Sequence, residues 1–237
     1  MKNIYFIHIP KTAGMSIENV FYKYKRYNYV SESFFKNYKH KDILNKKYQF
    51  LKISKWHIPI NYLNKSFIKD IKNNYTIFTI VRNPFDRIVS VFKFWIMFQN
   101  QHKDSTNMKF INLIKEVNTI YKSFEITPEN LNHFVKKVLS SHKFKFSLDG
   151  HLLPMYLYVY LKTNNKIVKI TQVLKYESLN DDFNKFTTEY APEIPKNILR
   201  RVNINKSDTK VSKNDLDKES IELIKKYYKL DFKYFGY

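Results

Sequence analysis

The chain has 237 residues, 43% hydrophobic and 27% charged with 20 Phe and 19 Tyr, enough to fill a substantial core and too apolar for a disordered tail. It has no Cys, which excludes disulfides, zinc-thiolate sites and cysteine nucleophiles and fits a reducing compartment. Lys and Arg outnumber Asp and Glu by 42 to 21, and the resulting formal charge of +21 favours anionic partners, although Lys is spread evenly among Asn, Ile, Tyr and Phe as in an AT-rich coding bias.

Length predicts a single domain over 1–237. No run approaches the ~20 apolar residues that span a bilayer, and the stretch after Met1-Lys2-Asn3 is cut short at Pro10 and Lys11, so neither a membrane helix nor a signal peptide is expected.

An apolar strand is expected near Ile4 to Ile9. It feeds a helix whose Ile17, Val20, Phe21 and Tyr24 recur at i, i+3, i+4, i+7, giving the strand-turn-helix start of an α/β sheet. Residues 27–48 read as loops with short helical pieces, and Phe50, Leu51, Ile53 and Trp56 as a short strand ending at His57. A buried strand follows over 75–81. Pro84 then suits a first helical turn, and Ile88, Val89, Phe92 and Trp95 or Ile96 carry one apolar face. Residues 99–109 read as a polar insertion. Thr127-Pro128 caps a helix with Leu131, Phe134, Val135, Val138 and Leu139 on its buried face. Lys166 to Tyr176 reads as one more strand, and Ile198 to Asn214 as a basic loop that suits either an anionic ligand or plain solvent. Ser212 and Asp215 offer a capping-box-like start for a last helix lined by Leu216, Leu223, Tyr227 and Leu230.

Two strand-to-helix corners carry the chemistry. At the first, the amides of Thr12, Ala13, Gly14, Met15 and Ser16 and the hydroxyls of Thr12 and Ser16 are placed to meet an anion at a helix start. Gly14 relieves crowding against that anion, and Lys11 adds a cation beside it. At the second, Arg82 and Arg87 flank the start of the next helix, with Arg87 either touching ligand or paired with Asp86. Ligands gather at the carboxyl ends of parallel strands, so both corners are expected to face one cleft and to bind a ligand with two separated anionic groups. GxxxxGK[ST] and GxGxxG are both absent, which argues against a Walker-type kinase and a dinucleotide fold. His residues form no HExxH or other tight spacing, so no metal is expected.

The segments from Pro10 to Ile17 (PKTAGMSI) and from Arg82 to Ser90 (RNPFDRIVS) resemble the 5'-phosphosulfate and 3'-phosphate elements of sulfotransferases that use 3'-phosphoadenosine 5'-phosphosulfate (PAPS). The likeness is strongest to carbohydrate O-sulfotransferases of the heparan 2-O and chondroitin type. Weaker parts of it are Trp56-His57, the segment from Asp149 to Met155, the segment from Lys175 to Leu179, Asn205-Lys206-Ser207, and the ending from Asp231 to Tyr237.

The resemblance implies a P-loop-like three-layer α/β sulfotransferase fold with a mainly parallel central sheet, PAPS as donor and adenosine 3',5'-bisphosphate as product. It places Lys11 at the leaving phosphate as a catalytic cation, and Thr12, Ala13, Gly14, Met15, Ser16 and Ile17 around the 5'-phosphate. Arg82 and Ser90 fall on the 3'-phosphate, and Lys206 and Ser207 in a loop over the nucleotide. His57 falls on the base that takes the acceptor proton, with His151 as rival base or sugar-orienting group, whereas His8 reads as structural. Pro154-Met155 departs from the frequent Pro-Gln of relatives, so that glutamine's acceptor contacts do not transfer. The implied acceptor is a sugar hydroxyl of a glycan or glycolipid, with no nucleic acid as substrate. Peripheral membrane contact and oligomeric state are left open. The implied setting is cytoplasmic and bacterial, or Golgi-lumenal for a chain parted from an anchor. A nucleotide-dependent kinase and a basic nucleic-acid or polyanion binder are the competing readings.

Overall fold

The computed structural model describes residues 3–24, 28–30, 38–51, 53–163, 166–169, 172–201 and 211–237. The chain forms two compact units, Met1–Arg82 with Met155–Ile204, and Asn83–Pro154 with Asn205–Tyr237.

The first unit is mixed α/β. Strands β1 (Asn3–Ile7), β2 (Asn28–Val30), β3 (Thr76–Val81) and β6 (Gln172–Lys175) form an open sheet in the order β2-β1-β3-β6. Every neighbouring pair in it is parallel. Helices α1 (Gly14–Lys23) and α8 (Leu179–Tyr190) cover one face, where Ile17, Val20, Phe21, Phe183 and Phe186 meet Ile4, Phe6, Phe78, Ile80 and Leu174. Those strand residues alternate, as the two-residue pleat requires. Tyr5, Ile7, Ile77 and Thr79 on the opposite face are buried as well, which suits a parallel sheet covered on both sides. The predicted β1, α1 and β3 are all present, and the register Ile7↔Thr79 sets the carboxyl ends of β1 and β3 side by side.

Three readings of this unit need correction. Leu51 and Ile53 are buried as foreseen, but Phe50 is 65% exposed and the segment makes three-residue 3-10 turns at Lys46–Tyr48 and Lys55–His57, not a strand. The Asn45 side chain accepts the Lys47 amide and the Ser54 carbonyl accepts the His57 amide at 2.9 Å, so local bonds close these turns. The described residues of 166–176 hold two strands and the start of a 3-10 turn at Tyr176. β5 (Lys166–Lys169) pairs antiparallel with β4 (Tyr160–Thr163) in a separate ribbon, and only β6 joins the main sheet. The 27–48 region holds β2 besides the short helix α2 (His40–Ile43). Helices α3 (Lys65–Asn74) and α7 (Tyr156–Val159) complete the unit.

The second unit is helical: α4 (Pro84–His102), α5 (Met108–Ile120), α6 (Pro128–Leu139), α9 (Lys218–Tyr227) and α10 (Lys229–Phe235). Its core joins Phe92, Trp95, Tyr121, Phe134, Leu152 and Tyr228. Pro84 opens α4, and Thr127 caps α6 by accepting the Asn130 amide, both as predicted. The polar run 99–109 is helical at both ends, since α4 extends to His102 and α5 starts at Met108, and only residues 103–107 connect the two. The Ser212–Asp215 capping box exists, but it closes a 3-10 turn at Lys213–Asp215, and Asp217 caps α9 instead. That later start rotates the buried stripe to Ser220, Ile224 and Tyr228, leaving Leu223 and Tyr227 half-buried. Among the described residues no helix is long and apolar enough to cross a membrane.

Candidate active site

At the end of β1 the chain turns through Pro10, Lys11, Thr12 and Ala13 into α1. Two non-glycine residues of this turn, Lys11 (φ 67°) and Ala13 (φ 73°), adopt the left-handed region that side chains disfavour. Thr12 is fully buried and its hydroxyl donates to the Ile9 carbonyl at 2.8 Å. The turn is therefore pinned from inside, and the Thr12 hydroxyl serves the turn instead of an anion. The Ser16 amide donates back to the Ala13 carbonyl at 3.0 Å, and α1 has no side-chain cap. The Gly14 and Met15 amides, in the first turn, lie where a helix leaves donors for an external acceptor. Ile17 turns its side chain into the core of the first unit.

Gly14 works differently from the sequence expectation. A Cβ at this position would come within 2.4 Å of the His8 imidazole, so what it avoids is a neighbouring side chain of the same unit. His8 is buried. Its Nδ1 lies 3.0 Å from Glu18 Oε1, and its ring centroid is 5.4 Å from that of His57 and 6.2 Å from that of Trp56. Burial pushes the His8 pKa below the ordinary imidazole value, against the upward pull of its bond to Glu18, and the neighbouring His57 adds to the lowering. His8 is thus held on several sides by packing and by Glu18.

Arg82 follows β3 by one residue and leans over the first corner. Its Nη1 donates to the Lys11 carbonyl at 3.3 Å, and its guanidinium carbon stands 4.1 Å from the centroid of the Tyr176 ring. The β3–β6 register Val81↔Lys175 explains that stacking, because the next residue on each parallel strand is Arg82 and Tyr176. The Arg82 amide donates to Met155 Sδ at 3.5 Å, and its Nε is buried with no hydrogen-bond partner among the described residues. A buried guanidinium N–H left over in this way is a group that an incoming anion would satisfy. Lys11 is half-buried, and burial first and the Arg82 charge second lower its pKa from 10.5 to about 8. Two cations held this close, one carrying an unmet donor, form a cradle suited to a phosphate-bearing ligand.

His57 sits in the 3-10 turn Lys55–His57, half-buried, with its carbonyl accepting from the Tyr158 hydroxyl at 3.0 Å. The turn thus leaves backbone contacts to fix its place and the imidazole to face its neighbours. Lys11, Arg82, His8 and His57 are brought together within the first unit. Tyr176, Glu18 and Met155 complete this neighbourhood. Tyr176 and Met155 fall within segments of the family resemblance, but their contacts with Arg82 come from the fold, through strand register for Tyr176 and through the Arg82 amide for Met155.

The other named residues belong to the second unit. Ser90 is half-buried on the second turn of α4. Arg87 is 2% exposed and forks its Nη1 and Nη2 onto the carbonyls of Leu153 (3.0 Å) and His151 (2.9 Å), which makes it a structural clamp. Asp86 pairs with Lys213 at 2.9 Å rather than with Arg87. His151 is buried, its ring stacked on Phe94 at 5.3 Å and edged by Trp95 at 5.1 Å. Lys206 and Ser207 lie outside the described residues.

A parallel α/β sheet with a cationic strand-turn-helix corner and a second basic residue at the next strand end is an arrangement suited to an anionic ligand. The family model of the sulfotransferase family matches residues 1–237, and the chain belongs to that family. It is accordingly a transferase of sulfuryl groups. Neither a curated protein nor a solved structure matches the chain.

Proposed function

We propose that this chain transfers the sulfuryl group of PAPS to a hydroxyl of a sugar in a glycan or glycolipid, with 1–237 acting as one catalytic domain in the cytoplasm. The observation that carries the reading is the pairing of Lys11 with Arg82 at adjacent strand ends, beside first-turn amides of α1. When bound, the donor supplies a sulfuryl group on a phosphate leaving group. The Thr12, Ala13, Gly14 and Met15 amides and the Ser16 hydroxyl hold its 5'-phosphate, and Ile17 fixes the helix that presents them. Lys11 offsets the negative charge that grows on the leaving oxygen, commonly a dominant catalytic effect. Arg82 takes the 3'-phosphate, and Ser90, Lys206 and Ser207 keep the nucleotide-binding roles that the family resemblance gives them. His57 accepts the hydroxyl proton, while His151, enclosed by aromatic rings, is the weaker choice for base.

Calorimetric titration with adenosine 3',5'-bisphosphate and with ATP, each with and without magnesium, tests the donor. Tighter, magnesium-independent binding of the bisphosphate is expected, whereas magnesium-dependent preference for ATP would replace this reading with a kinase. A screen of glycan acceptors with labelled PAPS then tests the sugar. In that assay His57→Ala should lower turnover at least a hundredfold with donor affinity near wild type. Undiminished turnover in a folded His57→Ala protein would remove His57 as base.

A further inference from the structure

His8 is a buried titratable group that the reaction as written above does not use. It lies one residue past β1, where the flanking Ile7 and Ile9 are apolar core residues. Beside Phe6 and Trp56, three neighbours grip its ring. Gly14 and Glu18 stand at i and i+4, one above the other on the same face of α1. The first offers bare backbone to the imidazole and the second a carboxylate 3.0 Å from Nδ1. On another side the ring meets His57 at 80°, edge to face. A carboxylate accepts, so Nδ1 carries the proton and donates, and the ring cannot turn without breaking that bond.

We infer that His8 is a positioning residue for sulfuryl transfer, a spacer that sets the first turn of α1 and the His57 ring at a fixed separation. The inference rests on the reading of the Lys11–Ser16 turn as donor site and of His57 as base. Its physical content lies in the contact with Gly14. The helix can approach the strand only as far as the imidazole allows, and the Gly14 and Met15 amides are carried on that first turn. The burial-lowered pKa keeps His8 neutral, so it adds no positive charge against a proton arriving on His57. Small displacements of such groups reduce catalysis strongly, because orientation supplies a large part of rate enhancement.

A double-mutant cycle on the full chain tests this, with adenosine 3',5'-bisphosphate affinity read by calorimetry and folding checked by thermal melting. Gly14→Ala in the wild-type background drives a methyl into the imidazole and should weaken bisphosphate binding about tenfold or more. In the His8→Ala background the same change has room, and its further effect should fall to within about threefold. His8→Asn keeps a donor for Glu18 without the ring. It should melt closer to wild type than His8→Ala does, and still lose turnover in the sugar-transfer assay. Equal Gly14→Ala losses in both backgrounds, or full turnover in His8→Asn, would overturn the inference while leaving the donor assignment intact. Failure of the wild-type chain to bind the bisphosphate would overturn both.

Discussion

The proposed role of Lys11 at the donor site predicts that bisphosphate binding depends on pH in a range where an ordinary lysine would give no dependence. Its pKa is lowered from 10.5 to about 8 by burial and by Arg82, so the free protein loses this charge through the pH 7–9 window. A bound anion restores the advantage of the charged form and raises the pKa again, so above pH 8 binding takes up a proton. The dissociation constant then scales as one plus ten to the power of pH minus about 8, which gives about a tenfold weakening between pH 7 and pH 9, or ~1.4 kcal/mol. A lysine left at 10.5 would show almost none. The phosphates perturb the measurement little, since their second ionisation, near ~6, is about nine-tenths complete at pH 7. Calorimetry of adenosine 3',5'-bisphosphate binding in buffers of differing ionisation enthalpy should show about half a proton taken up at pH 8 and nearly one at pH 9. Lys11→Arg keeps its charge throughout and should flatten the profile, whereas Arg82→Met removes a cation beside Lys11 and should move the inflection upward. A flat wild-type profile to pH 9.5, or an equal decline in Lys11→Arg, would refute the reasoning. Folding obeys the opposite sign: between pH 8 and 10.5 the unfolded chain holds a proton at this site that the folded one lacks, so Lys11 makes stability rise with pH there.

Arg82→Ala, and less so Ser90→Ala, should weaken bisphosphate binding by roughly 1.5 to 3 kcal/mol while affecting adenosine 5'-phosphate less, and equal losses would make both residues structural. Tyr176→Ala should reduce bisphosphate affinity by ~0.5–1 kcal/mol through loss of the ring under Arg82, with Tyr176→Phe near wild type; identical losses in both would discount the stacking. Arg87→Met strips the donors from the His151 and Leu153 carbonyls and should destabilise the fold by about 3 kcal/mol in urea unfolding, with bisphosphate affinity of the folded protein unchanged. An affinity loss at unchanged stability would put Arg87 in the site. Ala13→Gly relieves a left-handed alanine worth ~1–2 kcal/mol but adds ~0.5–1 kcal/mol of chain entropy, so stability should hold or rise slightly, and Ala13→Val should fall well below wild type. A destabilised Ala13→Gly would show that the turn is not strained at this residue.

What could be read from the sequence follows the distance over which each cause acts. The β1–Lys11–α1 corner was legible because a strand, a turn and a helix start are local and lie within twenty residues. The pairing of this corner with Arg82 was legible one step further, because parallel strands place their carboxyl ends together and Ile7 indeed lies opposite Thr79. The errors arise where the deciding partner is remote. In the sequence the nearest partner for Arg87 is Asp86, but its fork closes on carbonyls 64 and 66 residues away, and Asp86 finds Lys213. Phe50 to His57 carries a strand-like apolar pattern, yet the segment closes on itself in 3-10 turns, and apolar pattern alone does not separate the two. Gly14 shows the same limit most clearly. Its lack of a side chain points, in the sequence, to the ligand, while the left-handed conformation that glycine would ease belongs to Ala13, one residue earlier. The demand on Gly14 comes from His8, six residues back and across the turn, where a Cβ and an imidazole would compete for the same space. A glycine beside an anion-binding turn can therefore mark the packing that shapes the turn, and the coupling of Gly14 to His8 distinguishes that role from direct contact with the donor.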